Sequence, residues 1–207
     1  SERDRARVEE VTRTADDFSE PEAFERMQGG AATTTKLINA DIFSHPSANL
    51  KFAEQQQFLL GNGLFRKDWV TAPSSTQASD GLGPLFNARA CQSCHIKDGR
   101  GHAPNGPEEQ ATSLLVRLSV PPSEEQEREI LEGYLSSVGE PVYGGQLQDF
   151  AAAGLPAEGR VRIEYEELPV SLSGGETAHL RKPVLSIDKP GYGPLRPDTM
   201  LSERVAP

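Results

Sequence analysis

The sequence predicts a mainly α fold, with much irregular loop and one small antiparallel β element. Three observations carry that expectation. The longest periodic stretches space their apolar residues at helical intervals. Runs that alternate apolar and polar residues are short and few. Nineteen glycines and sixteen prolines among 207 residues leave room for few long regular elements. Hydrophobic residues make up only 36% and mean hydropathy is −0.52, so the side chains alone supply a modest core.

Residues 1–40 read as an N-terminal extension and 41–207 as one domain. In the extension, weak helical patterns cover Arg5–Phe18 and Pro21–Met27, and Gly29-Gly30 opens an irregular link. In Asn49–Phe65, Leu50, Ala53, Phe58, Leu59 and Phe65 share a side at helical spacing, which predicts a helix that Gly61 and Gly63 weaken. Pro73–Asp80 is a polar loop and Leu85–His95 a short helix, ended by the turn Asp98-Gly99-Arg100-Gly101. Leu114–Val120 predicts a strand stopped by Pro121-Pro122. Ser123 followed by Gln126 is a capping-box signature, starting a helix that runs to about Ser137. Gln146–Ala153 predicts a short helix closed by Gly154. Val161–Leu168 alternates as a second strand and Val184–Asp188 offers a third, while the remaining Pro- and Gly-rich chain reads as a surface-wrapping loop.

Both cysteines of the chain lie in Cys91-Gln92-Ser93-Cys94-His95. Two cysteines three apart with histidine next is the pattern of c-type haem attachment. Two thiols one helical turn apart can each add to a haem vinyl group, and the following histidine is then held beneath the iron as an axial ligand. A structural zinc site wants four nitrogen or sulfur ligands, and the sequence has no second paired cluster. A thioredoxin-type dithiol would follow a strand in a βαβ pattern, and residues 81–87 do not read as such a strand. The residues therefore favour covalent haem c, with Cys91 and Cys94 binding the cofactor and His95 the metal.

Net charge is −10 and the isoelectric point near 4.9. Nucleic acid is excluded as a partner, because its phosphates need a basic footprint. A small redox protein docking through a basic face suits this charge. No segment approaches the apolar length of a membrane span. No signal peptide stands at Ser1, yet thioether attachment implies a periplasmic or other extracytoplasmic compartment, so Ser1 reads as a mature boundary.

What sits opposite His95 decides what a haem does: a six-coordinate iron shuttles electrons, an open one binds peroxide. His45, His102, His179, Met27 and Met200 are the available sixth ligands, and none carries a convincing local signature, so an open position stays in play. Arg100 and Arg117 are candidate partners for the haem propionates, since guanidinium makes paired charge-assisted bonds to carboxylate. Trp69, the only tryptophan, reads as a packing residue.

Several stretches together resemble the bacterial di-haem oxidoreductases (putative peroxidases) related to di-haem cytochrome c peroxidases. They are Gly61-Asn62-Gly63-Leu64-Phe65, Asp80-Gly81-Leu82-Gly83-Pro84-Leu85-Phe86-Asn87, the cysteine motif running into Asp98-Gly99-Arg100-Gly101, Pro141–Gln148 and Ser202–Pro207. The resemblance covers roughly residues 40–207. It implies a cytochrome-c-like haem domain, and, with one haem motif here, the first half of a longer protein whose C-terminal half holds a second haem. It implies a peroxidase-like oxidoreductase that reduces peroxide with electrons from that second haem. The alternatives are an electron-transfer cytochrome domain without catalysis and an accessory haem protein in periplasmic iron handling. Related peroxidases use a glutamine and a glutamate ten residues apart after the first haem motif, which falls on Gln148 and Glu158, with Gln146 as the other choice of glutamine. Those relatives place a tryptophan after the motif, whereas Trp69 precedes it. A calcium ion between the two halves would also fit the wider family.

Overall fold

The computed structural model describes residues 1–22, 25–110 and 112–207. The chain divides into two compact units, Ser1–Asn62 and Gly63–Pro207. Among the described residues it is 26% helical and 25% strand, with four α-helices and several antiparallel sheets, so the expected mainly α fold is wrong.

In the first unit, α1 (Glu2–Thr12) opens with a capping box. The Ser1 hydroxyl accepts from the Asp4 N–H at 3.3 Å, and Asp4 reaches back to the Ser1 hydroxyl at 2.7 Å. Glu2 and Asp4 place negative charge at the positive end of the helix dipole. The helix buries none of its residues, so caps and charge rather than packing hold it. It stops at Thr12, earlier than the pattern to Phe18 predicts. Of the stretch Pro21–Met27 only the 3-10 turn Glu25–Met27 is a helical element, and Ala23 and Phe24 lie outside the described residues. α2 (Phe52–Arg66) matches the periodicity of 49–65, and the division between the units falls within it.

The second unit is built from four two-stranded ribbons. β1 (Val70–Thr71) pairs in parallel with β2 (Asp80–Leu82). β3 (Leu85–Phe86) pairs antiparallel with β5 (Phe150–Ala151). β4 (Leu114–Ser119) pairs antiparallel with β8 (Met200–Val205), Leu114 opposite Val205 and Ser119 opposite Met200. β6 (Arg160–Ser171) and β7 (Thr177–Asp188) form a twelve-pair hairpin. Two helices complete it, α3 (Cys91–Cys94) and α4 (Glu124–Leu131). α4 starts at the expected capping box, Ser123 accepting from the Gln126 N–H at 3.3 Å while Gln126 accepts from the Ser123 N–H at 3.0 Å.

Four misread segments account for the correction in fold class. The helix expected over Leu85–His95 is only the turn Cys91–Cys94, because Leu85 and Phe86 pair with Ala151 and Phe150 as β3. Pro169 and Pro183 sit inside β6 and β7, opposite His179 and Tyr165. A proline demotes a strand in sequence, but on a two-stranded ribbon every second N–H points away from the ladder and proline can take such a place. Residues 146–153, expected as a helix, are extended instead. The Leu147 N–H donates to the Val116 carbonyl at 3.0 Å and the Leu118 N–H to the Gly145 carbonyl at 3.1 Å, so β4 captures this backbone. The final loop contains β8, whose partner is far away in sequence.

β4 organises the core. Leu114, Val116 and Leu118 are 5%, 1% and 1% exposed, while Arg117 on the other face is exposed. Val116 and Leu118 pack with Tyr143 and Leu147, and Val161, Leu185, Ile187, Leu195 and Leu201 close around them. The period-2 alternation of one strand thus buries one row against the hairpin and turns the other row outward.

Candidate haem site

The cysteine motif forms a single helical turn after Ala90, which is buried and extended. The His95 N–H donates to the Cys91 carbonyl at 3.0 Å, closing the turn that carries both thiols, with His95 as its C-cap. Cys91 is exposed, Cys94 half-buried, and both are free thiols. Burial pushes the Cys94 thiol up, with Asp149 and Cys91 adding to the shift, and Cys94 Sγ lies 3.2 Å from the Thr112 carbonyl. The Phe65 ring stands 5.8 Å from the His95 ring, tilted by 56°.

After the turn the backbone passes through Lys97 and Asp98 at φ 53° and 62°. Asp98 accepts from Arg66 at 3.2 Å, which ties the end of α2 to this bend. Gly101 then donates its N–H to the Ala206 carbonyl at 3.0 Å, and Ala206 donates to Ser113 at 2.9 Å. Ser113 is 2% exposed; its hydroxyl accepts from the His102 N–H at 3.0 Å and donates to the His102 carbonyl at 3.1 Å. The motif is therefore stitched to both strands of the β4–β8 ribbon.

Between the motif and that ribbon lies an open cavity of about 490 Å³. The motif segment contributes Ala88, Arg89, Ala90, Cys91, Cys94 and His95; β4 contributes Leu115; and Arg204, Val205, Ala206 and Pro207 complete it together with Trp69. The walls are largely apolar, with the two thiols and the imidazole among them and no aspartate or glutamate side chain. That donor set fits haem, a large apolar group that needs two thiols for its vinyls and one imidazole for its iron. Cys91, Cys94 and His95 would hold it.

The other expected site residues are placed elsewhere. Arg100 and Arg117 are exposed and neither lines the cavity; Arg117, on β4, forms a backbone β-bridge with Gln146. Gln148 and Glu158 are brought together: the Gln148 N–H donates to Glu158 Oε2 at 2.6 Å and the Glu158 N–H returns to the Gln148 carbonyl at 3.0 Å. Glu158 is 8% exposed, and burial pushes its carboxyl up against the pull of the Gln148 N–H. Neither residue lines the cavity. Gln146 Nε2 donates to the Asn87 side-chain oxygen Oδ1 at 2.6 Å, and Asn87 Nδ2 donates to Asp149 Oδ1 at 3.0 Å. His102 and His179 are occupied by Ala103 and Glu167, at 3.0 and 2.5 Å; Met200 opens β8, half exposed. His45 and Met27 belong to the first unit. Among the described residues no cluster of three or more His, Cys, Asp or Glu stands ready for a metal ion, so the calcium expectation finds no ligand set there.

Arg89, Leu115 and Arg204 are among the cavity residues that were not singled out for the site from sequence. Leu115 was open to inference, because alternation in β4 sends it opposite Leu114 and Val116. Arg204 reaches the site only through the β4–β8 pairing. Trp69, read as packing, lines the cavity at 37% exposure, with Lys67 Nζ 4.7 Å from its ring centroid.

An apolar cavity carrying two free thiols and an imidazole is a site that fits a haem. The family comparison agrees: the chain belongs to the family described as "Di-haem oxidoreductase, putative peroxidase", whose model matches residues 24–205. No curated protein and no solved structure matches the chain. Among the described residues no helix is long and apolar enough to cross a membrane.

Proposed function

We propose that this chain is a c-type haem domain of a peroxidase-type oxidoreductase, with haem joined to Cys91 and Cys94 and its iron held by His95. The observation that carries the reading is the convergence of those three side chains on one apolar cavity. When bound, the haem supplies the iron at which peroxide is reduced. The protein's own residues orient it. The closed turn from Cys91 to His95 fixes the imidazole relative to both sulfurs, and the Gly101–Ala206 bond holds the β8 end against the motif. Electrons reach this haem from a second haem in a further C-terminal half, loaded by a small redox protein. Thioether attachment of haem is extracytoplasmic chemistry, which supports a periplasmic location.

Peroxide cleavage needs a group that moves a proton and a donor that steadies the leaving oxygen. Glu158 and Gln148 are the proposed pair. Their direct bond and the burial that raises the Glu158 carboxyl support that role. Their place off the cavity wall favours the second reading, an electron-transfer domain without catalysis.

Two measurements separate the readings. Mass spectrometry of the full chain matured with haem should show one haem on the Cys91–Cys94 peptide, lost from Cys91→Ala/Cys94→Ala; an unmodified peptide refutes covalent haem. A high-spin ferric spectrum that shifts with peroxide supports the peroxidase, and a low-spin spectrum indifferent to peroxide and cyanide supports electron transfer alone.

A further inference from the structure

We propose that Arg89 and Arg204 hold the two carboxylates of the haem, an inference that rests on the haem reading above. A haem brings two acids into a chain whose net charge is already −10, and they need cations at the cavity. Apart from the His95 imidazole, the basic side chains lining it are these two guanidiniums, both exposed where propionates reach solvent. Neither makes an ion pair among the described residues, and no acidic side chain lines the cavity to compete for them.

Both forks are oriented before any ligand arrives. Arg89 and Trp69 are locked by reciprocal bonds: the Trp69 N–H donates to the Arg89 carbonyl at 2.8 Å, and Arg89 Nε donates to the Trp69 carbonyl at 3.1 Å. That leaves both terminal nitrogens of Arg89 for a carboxylate. Arg204 spends Nη1 on the Ser202 hydroxyl at 2.7 Å and the Glu203 carbonyl at 2.8 Å, leaving Nη2 and Nε. A planar guanidinium fixed through one nitrogen still presents a two-donor edge, the arrangement that binds carboxylate bidentately. The two arginines stand on separate elements, one just before the motif and one on β8, so the same stitching that holds β8 to the motif sets the spacing between them.

A guanidinium beside a carboxylate favours its ionised form and, at an exposed site, lowers its proton affinity by up to about fivefold. An uncompensated carboxylate stabilises ferric over ferrous iron. In the full chain loaded with haem, Arg89→Gln and Arg204→Gln should therefore each lower the reduction potential. Each should also move the inflection of potential against pH upward, by up to about fivefold in proton affinity. Arg89→Lys and Arg204→Lys keep the charge but not the fork, so their inflections should move by less. Potentials of both Gln variants that superimpose on the parent at every pH overturn the assignment, and so does a shift found only in Arg100→Gln or Arg117→Gln. Should the Gln variants not accumulate, Arg89→Met and Arg204→Met, which also remove the charge, decide, and two parent-like titrations overturn it. Haem content is measured first by mass: an unmodified Cys91–Cys94 peptide overturns the haem reading itself, whereas bound haem with unmoved titrations overturns only the arginine assignment.

Discussion

Gly101 shows how little space the motif has behind it. A Cβ built there would lie 2.7 Å from Ser113 Oγ and 2.9 Å from the Cys94 carbonyl, and would press on the Ser113 Cβ as well. Ser113 cannot swing away, because it is 2% exposed and bonded twice to the His102 backbone. Cys94 cannot retreat without opening the turn that aims His95. Gly101→Ala should therefore cost about 1–3 kcal/mol in denaturant unfolding, the range for overpacking a closed site. It should also reduce the fraction of chains carrying haem on Cys91 and Cys94. Gly63, with open space around its Cβ position, is the contrast: Gly63→Ala in α2 should stabilise by up to about 1 kcal/mol through helix propensity. Equal effects at the two positions would show that the space behind Cys94 is not tight.

At the scale of elements, β4 serves two neighbours with its two faces. Leu118, 1% exposed, belongs to the core with Val116, Tyr143 and Leu147, and Leu118→Ala should cost about 2–5 kcal/mol. Leu115 is half-buried and faces the cavity. Leu115→Ala should cost less than half as much in the same unfolding measurement, yet shift the absorption bands of the bound haem, which Leu118→Ala leaves in place. A reversal of that pattern would mean the strand is rotated. Elements with local causes could be read in sequence: α4 from its Ser123–Gln126 box, β4 from alternation, the motif turn from its spacing. Elements with distant causes could not. Nothing around Met200–Val205 announces that Leu114–Ser119 will pair with it, and residues 146–153 carry helical spacing that the open edge of β4 overrides. The site divides the same way. Cys91, Cys94 and His95 are adjacent in sequence, whereas Trp69 and Arg204 meet them only through the fold.

For the whole molecule, two buried carboxylates, Glu140 and Glu158, and the half-buried Asp149 pull stability in opposite directions with pH. Burial pushes the Glu140 carboxyl up, but the N–H groups of Tyr143, Val142 and Arg196, with the Arg196 charge, outweigh it and hold the group below the ordinary glutamate value of 4.5. Its folded form thus binds protons more weakly than the unfolded chain, so its contribution is complete above about 4.5 and is lost as pH falls below that. Asp149 and Glu158 behave oppositely. Burial raises both, although Asn87, the Asp149 backbone and Gln110 pull Asp149 down and the Gln148 N–H pulls Glu158 down. Folded protein binds their protons more tightly, so stability falls as pH rises from their ordinary values, 3.8 and 4.5, through their raised ones. The two trends together predict a stability maximum on the acid side of neutrality. Glu158→Gln removes part of the penalty and should flatten the limb between the maximum and neutral pH. Glu140→Gln puts an amide where three backbone N–H groups at 2.6, 2.8 and 3.3 Å need an acceptor, and should lower stability by about 2 kcal/mol at neutral pH while flattening the acid limb. Urea midpoints collected across pH for the parent and both variants test this. A parent profile that rises steadily to neutral pH, unchanged by Glu158→Gln, would mean that Glu158 is not buried against the Gln148 backbone in solution.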